Sequence, residues 1–185
     1  MIALILVAAL NCGATATQID LDECAAAAQA HNDKRESAAF AAAEWRTYND
    51  PLLHQSELRY RDARAAACNF AYDMYSSGTM APMLFSQCNA DAAHARVRDI
   101  GFFTGLPNRA AAIPDPRVEA EHVRVYGLLE LLITPHERDL LAASERAFLR
   151  YRYVACSHAK DGCATAVTKT RTRQLEDSWL AEKFW

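Results

Sequence analysis

Glu57, Arg64 and Cys68 lie on one run of the chain, and Glu145, Arg152 and Cys156 repeat the same intervals later. An aromatic residue follows each glutamate by three positions (Tyr60, Phe148), and a serine directly precedes it (Ser56, Ser144). A second cysteine then comes with an arginine eight positions on: Cys88 with Arg96, and Cys163 with Arg171. Carboxylates and guanidiniums at helical spacing make charge-assisted hydrogen bonds, and a desolvated set of them fixes how helices meet. Glu57, Arg64 and Arg96, and again Glu145, Arg152 and Arg171, are therefore read as a structural ion network. The same groups could instead hold a ligand or take part in catalysis.

Other site chemistry finds little support. The six histidines (His31, His54, His94, His122, His136, His158) are scattered, with no metalloprotease pairing, and read as surface residues. There is no phosphate-binding loop, no dinucleotide glycine fingerprint, no nucleophile elbow and no C-x-x-C. The spacing Cys156-x6-Cys163 has no further ligand at zinc distance. Asp20, Asp22 and Glu23 suit the start of a helix better than a calcium site, which needs more oxygen ligands. The sequence thus points to no metal, no cofactor and no catalytic residue.

Elements that position these residues follow from the repeat itself. The two copies are offset by 88 residues up to the first cysteine and by 75 from the second cysteine on. That pattern is an internal duplication with a deletion between the cysteines of the second copy. It divides the chain into a first unit over 17–105, a proline-containing linker over 106–115 and a second unit over 116–185. The chain has 37 alanines against six glycines and six prolines among 185 residues, which calls for nearly continuous helix. Asp50-Pro51 and Asp115-Pro116 read as N-cap and first-turn pairs, and Thr134-Pro135-His136-Glu137 as a capping box. With apolar spacing they give six helices, near 22–48, 51–75, 83–104, 116–132, 135–159 and 162–183. On the second, Leu53, Glu57, Tyr60, Arg64, Cys68 and Ala71 share one stripe. Leu141, Glu145, Phe148, Arg152, Cys156 and Ala159 do so on the fifth. The fold class is all-α: tandem three-helix units, each a stapled hairpin with one more helix, forming one bundle. The aromatic end, Trp179 with Phe184 and Trp185, is expected to dock on that bundle.

The net charge of −3 is too small for a nucleic-acid partner. It is uneven, with eight basic against twelve acidic residues over 17–105 and twelve against eleven over 106–185. The opening MIALILVAAL is too short to span a bilayer, and Ala14-Thr15-Ala16 after it suits signal-peptidase cleavage at 16. The alternative, a lipid anchor at Cys12, meets a poor lipobox in Ala9-Leu10-Asn11. Export to the periplasm or beyond permits disulfides. Cleavage after Ala16 leaves five cysteines, which can form two bridges in fifteen ways. The duplication gives each copy its own pair, Cys68 with Cys88 and Cys156 with Cys163, and leaves Cys24 over. Cys24 could still capture Cys68 or Cys88, and five free thiols are the remaining alternative.

These residues resemble the LprI-like lysozyme-inhibitor family of exported bacterial proteins. The family motif runs roughly A-Q-R-A-W-x2-Y-R-D-x2-C, then G-G-S-x2-P, then C-x4-T-x2-R-x3-L. The second copy follows it from Ser144 to Cys156 and again from Cys163 through Thr168 and Arg171 to Leu175. The first keeps Arg64, Cys68, Cys88 and Arg96, and places Ser77-Gly78-Thr79-Met80-Ala81-Pro82 where the family has its glycine–serine loop. Glu57 and Glu145 replace the family's glutamine, Tyr60 and Phe148 its tryptophan, and the second copy lacks the loop. The resemblance implies an exported, non-enzymatic envelope protein that binds a lysozyme-type glycosidase. Such an inhibitor needs a protruding polar loop, and Ser76, Ser77, Gly78, Thr79 and Met80 are the candidate residues. The rival expectation is a helical interaction or scaffold module that binds another envelope component.

Overall fold

The structure, a computed structural model, describes residues 16–76 and 78–176. Residues 1–15 of the expected signal segment, with Cys12 among them, lie outside the described residues. So do Ser77 of the candidate loop and the aromatic end from Trp179. Among the described residues six α-helices make up the fold: α1 (Gln18–Arg46), α2 (Pro51–Met74), α3 (Ala81–Ile100), α4 (Pro116–Leu132), α5 (Pro135–Cys156) and α6 (Cys163–Leu175). A short 3-10 turn, Ala110–Ala112, precedes α4. Among the described residues the only β pairing is a bridge between Phe103 and Ala159, and no helix is long and apolar enough to cross a membrane.

Helix starts follow local chemistry. Asp50 Oδ1 accepts from Leu52 N–H at 2.8 Å and Asp115 Oδ1 from Arg117 N–H at 2.8 Å, so each aspartate satisfies an N–H that the helix leaves open. Thr134 and Glu137 cap α5 reciprocally. Helix α1 begins four residues earlier than the acidic cluster suggested, because Thr17 and Asp20 form a capping box of their own. Asp20 and its neighbours therefore lie in the first turns of α1 rather than ahead of it.

Helix α1 packs along α3, and α2 on α3; likewise α4 packs on α6 and α5 on α6. The two sets meet chiefly through α2 against α5. Tyr60 and Ala63 from one side and Phe148, Tyr151 and Ala155 from the other form the centre of the core. Alanines allow this close approach, and the aromatics supply most of the buried area. Two disulfides fasten the hairpins, Cys68–Cys88 with Cα atoms 5.6 Å apart and Cys156–Cys163 at 5.5 Å. Cys24 is not left over as a thiol, for it too is disulfide-bonded.

The proline-containing segment is held down rather than slack. Asn108 N–H donates to Ser157 O at 2.7 Å, and its side-chain amide to Ala159 O at 3.1 Å. Asp115 N–H donates to Thr165 Oγ1 at 2.9 Å, and Ala111 is buried in the α5–α6 core. These bonds fix its path against α5 and α6.

Candidate functional site

The capped start of α2 and the spacing of its apolar residues aim Ser56, Glu57 and Tyr60 inward, where α3 delivers Arg96. This arginine is 1% exposed. Its Nη2 donates to Ser56 Oγ at 2.8 Å, its Nε to Glu57 Oε2 at 3.3 Å and its Nη1 to the Tyr151 hydroxyl at 3.3 Å. The guanidinium lies 5.3 Å and 5.4 Å from the ring centroids of Tyr60 and Tyr151. Tyr151 in turn donates to Asp99 Oδ2 at 2.6 Å. A buried cation is tolerable only when it is hydrogen-bonded, and each of the three nitrogens donates to an acceptor while the guanidinium also lies against two rings.

The arrangement recurs around Arg171. Its Nη2 donates to Ser144 Oγ at 2.6 Å and its Nε to Glu145 Oε2 at 3.4 Å, and its guanidinium lies 5.6 Å from the Phe148 ring centroid. Its Nη1 turns to Gln174 Oε1 at 3.2 Å. Burial pushes the Arg171 pKa down. Arg96 is buried as deeply, but Tyr151, Glu57 and Asp99 around it outweigh burial and raise its pKa.

The remaining two arginines do not join these glutamates. Arg64 reaches α1 instead, with Nη2 to Asp33 Oδ1 at 2.7 Å, Nη1 to Glu36 Oε2 at 3.4 Å and Nε to Asn89 Oδ1 at 2.7 Å. Arg152 reaches α4, donating to Glu119 Oε2 at 2.6 Å and Oε1 at 3.2 Å, and also to Thr168 Oγ1 at 2.9 Å. In both sets of three helices an inner arginine joins the second and third helices and an outer one ties in the first. Sequence reasoning missed the acids of α1 and α4, since neither helix carries a repeated signature. The i, i+3 pair Asp33 and Glu36 was the available signal.

His122 corrects the reading of all six histidines as surface groups. It is 3% exposed, with Nε2 2.8 Å from Glu145 Oε1 and Nδ1 3.2 Å from Thr172 Oγ1. Among the first three helices Glu36 accepts from the Tyr60 hydroxyl at 3.0 Å. An acid beside Tyr60 and a histidine beside Glu145 give the two carboxyls, Glu36 and Glu145, opposite electrostatic surroundings. Burial, and then the Glu57 charge, raise the Glu36 carboxyl above its usual value. Burial would raise Glu145 as well, but the hydrogen bond from His122 and the charge of Arg171 outweigh it and hold that carboxyl low.

Opposite pH dependences follow. A carboxyl with a raised folded-state pKa stabilises while protonated, and that contribution is lost as pH rises through the folded value. One with a lowered pKa contributes above its unfolded value, and the contribution is lost as pH falls through the folded one. Urea unfolding between about pH 4 and about pH 7 is expected to show Glu36→Gln gaining on the wild type as pH rises. Glu145→Gln is expected to fall behind it at a lower pH, as pH rises from below the ordinary glutamate value of about 4.3 to about 5. A Glu36→Gln curve parallel to the wild type would remove this account of Glu36.

The candidate loop stands at the far end of the first stapled hairpin. Ser76, Gly78, Thr79 and Met80 are all exposed, and Gly78 N–H donates to Tyr75 O at 2.8 Å to close the turn. The loop and the buried arginines are separate places in the fold. The arginine clusters hold helices together; the loop exposes the hydroxyl-bearing Ser76 and Thr79 and the methionine Met80. No group of three side chains able to hold a metal occurs among the described residues.

Residues 11–100 match the family model described as lysozyme inhibitor LprI. The match ends at Ile100, the last residue of α3. No curated protein and no solved structure matches the chain.

Proposed function

We propose, from the match of residues 11–100 to the LprI family model, that this protein is an exported, non-enzymatic inhibitor of a lysozyme-type glycosidase. The family match is the observation that carries the reading. The Ser76–Met80 loop is its contact surface. Glycosidases of this kind use two carboxyl groups in a cleft, and a protruding turn rich in hydroxyls and backbone N–H can bond to them. The Cys68–Cys88 bridge behind the turn limits the conformational freedom lost on binding. The excess of acidic residues over 17–105 suits a basic enzyme. The same reading takes the chain as two tandem units over 17–105 and 116–185, an idea supported by the recurrence of the arginine clusters. Only the first unit carries the loop.

Lysis of a bacterial cell suspension by lysozyme, followed by turbidity, tests this. The protein is expected to slow clearing, and Thr79→Ala/Met80→Ala to weaken inhibition by about tenfold, the loss of one contact cluster worth about 1.4 kcal/mol. No slowing at large molar excess would sink the lysozyme reading. A second reading, a helical module for another envelope protein, is favoured by Trp45 and Tyr48, 87% and 93% exposed at the α1–α2 corner. Retention of a periplasmic protein by the wild type but not by Trp45→Ala/Tyr48→Ala would favour that module.

A further inference from the structure

One of the differences between the two inner clusters, at Tyr151, adjoins a cleft. In the first, the Tyr151 ring packs 5.8 Å from Tyr60, accepts from Arg96 Nη1 and donates to Asp99. The offset of 88 that relates Tyr60 to Phe148 relates Tyr151 to Ala63, and the offset of 75 relates Asp99 to Gln174. The second cluster therefore has the aromatic partner Phe148, the donor Arg171 Nη1 and a polar side chain at Gln174, but a methyl group where the phenol would stand. Ala63, Phe148, Val167, Arg171 and Gln174 all line an open cleft of about 230 Å³ between α3 and α6. An apolar cavity of about 150 Å³ is enough to take up benzene.

We propose that this cleft binds a single-ring phenol, its ring on Phe148 and its hydroxyl at Gln174 and Arg171, as Tyr151 sits on Tyr60 with its hydroxyl at Asp99 and Arg96. The Gln174 amide offers both a donor and an acceptor, so it can serve a hydroxyl as well as the guanidinium. Ala63, Ala67 and Val167 give the cleft apolar lining for an aryl ring, while the Arg152 and Arg171 guanidiniums lie 5.7 Å and 5.6 Å from the Phe148 ring centroid. A hydroxyl para to a small alkyl group reproduces the length of the tyrosine side chain.

Calorimetry and amide-resolved NMR of the full chain with p-cresol and with toluene test this. One p-cresol is expected to bind per chain, at least about fivefold tighter than toluene because of the hydroxyl's two partners, with shifts centred on Phe148, Val167 and Gln174. Ala63→Tyr is expected to abolish binding and raise the melting temperature, since it supplies the missing ring from within. Gln174→Leu is expected to bring p-cresol down to the affinity of toluene. That variant decides the question if Ala63→Tyr does not fold. N-acetyltyrosinamide tells the two sources of a phenol apart, since binding as tight as p-cresol would assign the cleft to a protein tyrosine. No saturable p-cresol binding, or binding unchanged in a folded Ala63→Tyr or in Gln174→Leu, would overturn the proposal.

Discussion

Arg96→Ala is expected to lose about 3–5 kcal/mol of folding stability, the usual cost of removing one partner from a buried ion pair. The loss has two sources. Glu57, 6% exposed, would keep only Arg61, whose Nε is 2.9 Å away but whose side chain is largely in solvent. The Ser56 hydroxyl would lose its donor, and Tyr60 and Tyr151 would face a void where the guanidinium lay. Arg171→Ala is expected to cost less. Glu145 retains His122 at 2.8 Å, itself buried, so its charge is not stranded. Arg96→Lys should fall between, because an ammonium keeps the charge but cannot direct donors to Ser56, Glu57 and Tyr151 together. Equilibrium urea unfolding with disulfides intact measures all three variants. A loss below about 1 kcal/mol for Arg96→Ala, the level of an exposed pair, would show that Glu57 is solvated on removal and that the cluster is not closed.

The duplicated spacing made much of this cluster legible. Ser56, Glu57, Tyr60 and Cys68 fall on one helical stripe, and Arg96 lies two turns beyond Cys88, so their meeting follows once the two helices are stapled into a hairpin. What stayed hidden was partner choice. Arg64 and Glu57 share a stripe yet separate, because Arg64 stands nearly two turns further on, where Asp33 and Glu36 of α1 come within reach. Only their i, i+3 spacing marked those acids in α1, whose alanine-rich surface has no strong apolar face to fix its rotation. His122 stayed hidden for a similar reason. Its burial depends on α4 packing against α6, and no local pattern around it distinguishes it from the exposed histidines. Tyr151 lies outside the repeated residues altogether, and its role emerges only where the two halves face each other.

Removing the two disulfides separately is expected to give unequal losses, about 3 kcal/mol for Cys68→Ala/Cys88→Ala and about 2.5 kcal/mol for Cys156→Ala/Cys163→Ala. The bridges close stretches of 20 and 7 residues, and a longer closed loop removes more freedom from the unfolded chain. Alanine is the suitable replacement because Cys68, Cys156 and Cys163 are fully buried, and serine would leave hydroxyls there without assured partners. Function should separate the two more sharply than stability does. The first bridge anchors the hairpin that carries Ser76, Gly78, Thr79 and Met80, whereas the second closes a tight turn on the other half. If the loop inhibits lysozyme, the first double variant should inhibit more weakly than its stability loss explains, and the second should inhibit like the wild type wherever it is folded. Equal stability losses would show that loop length is not what sets the contribution of these bridges. Equal inhibition would place the contact surface away from the loop, and attention would then shift to the exposed Trp45 and Tyr48 corner.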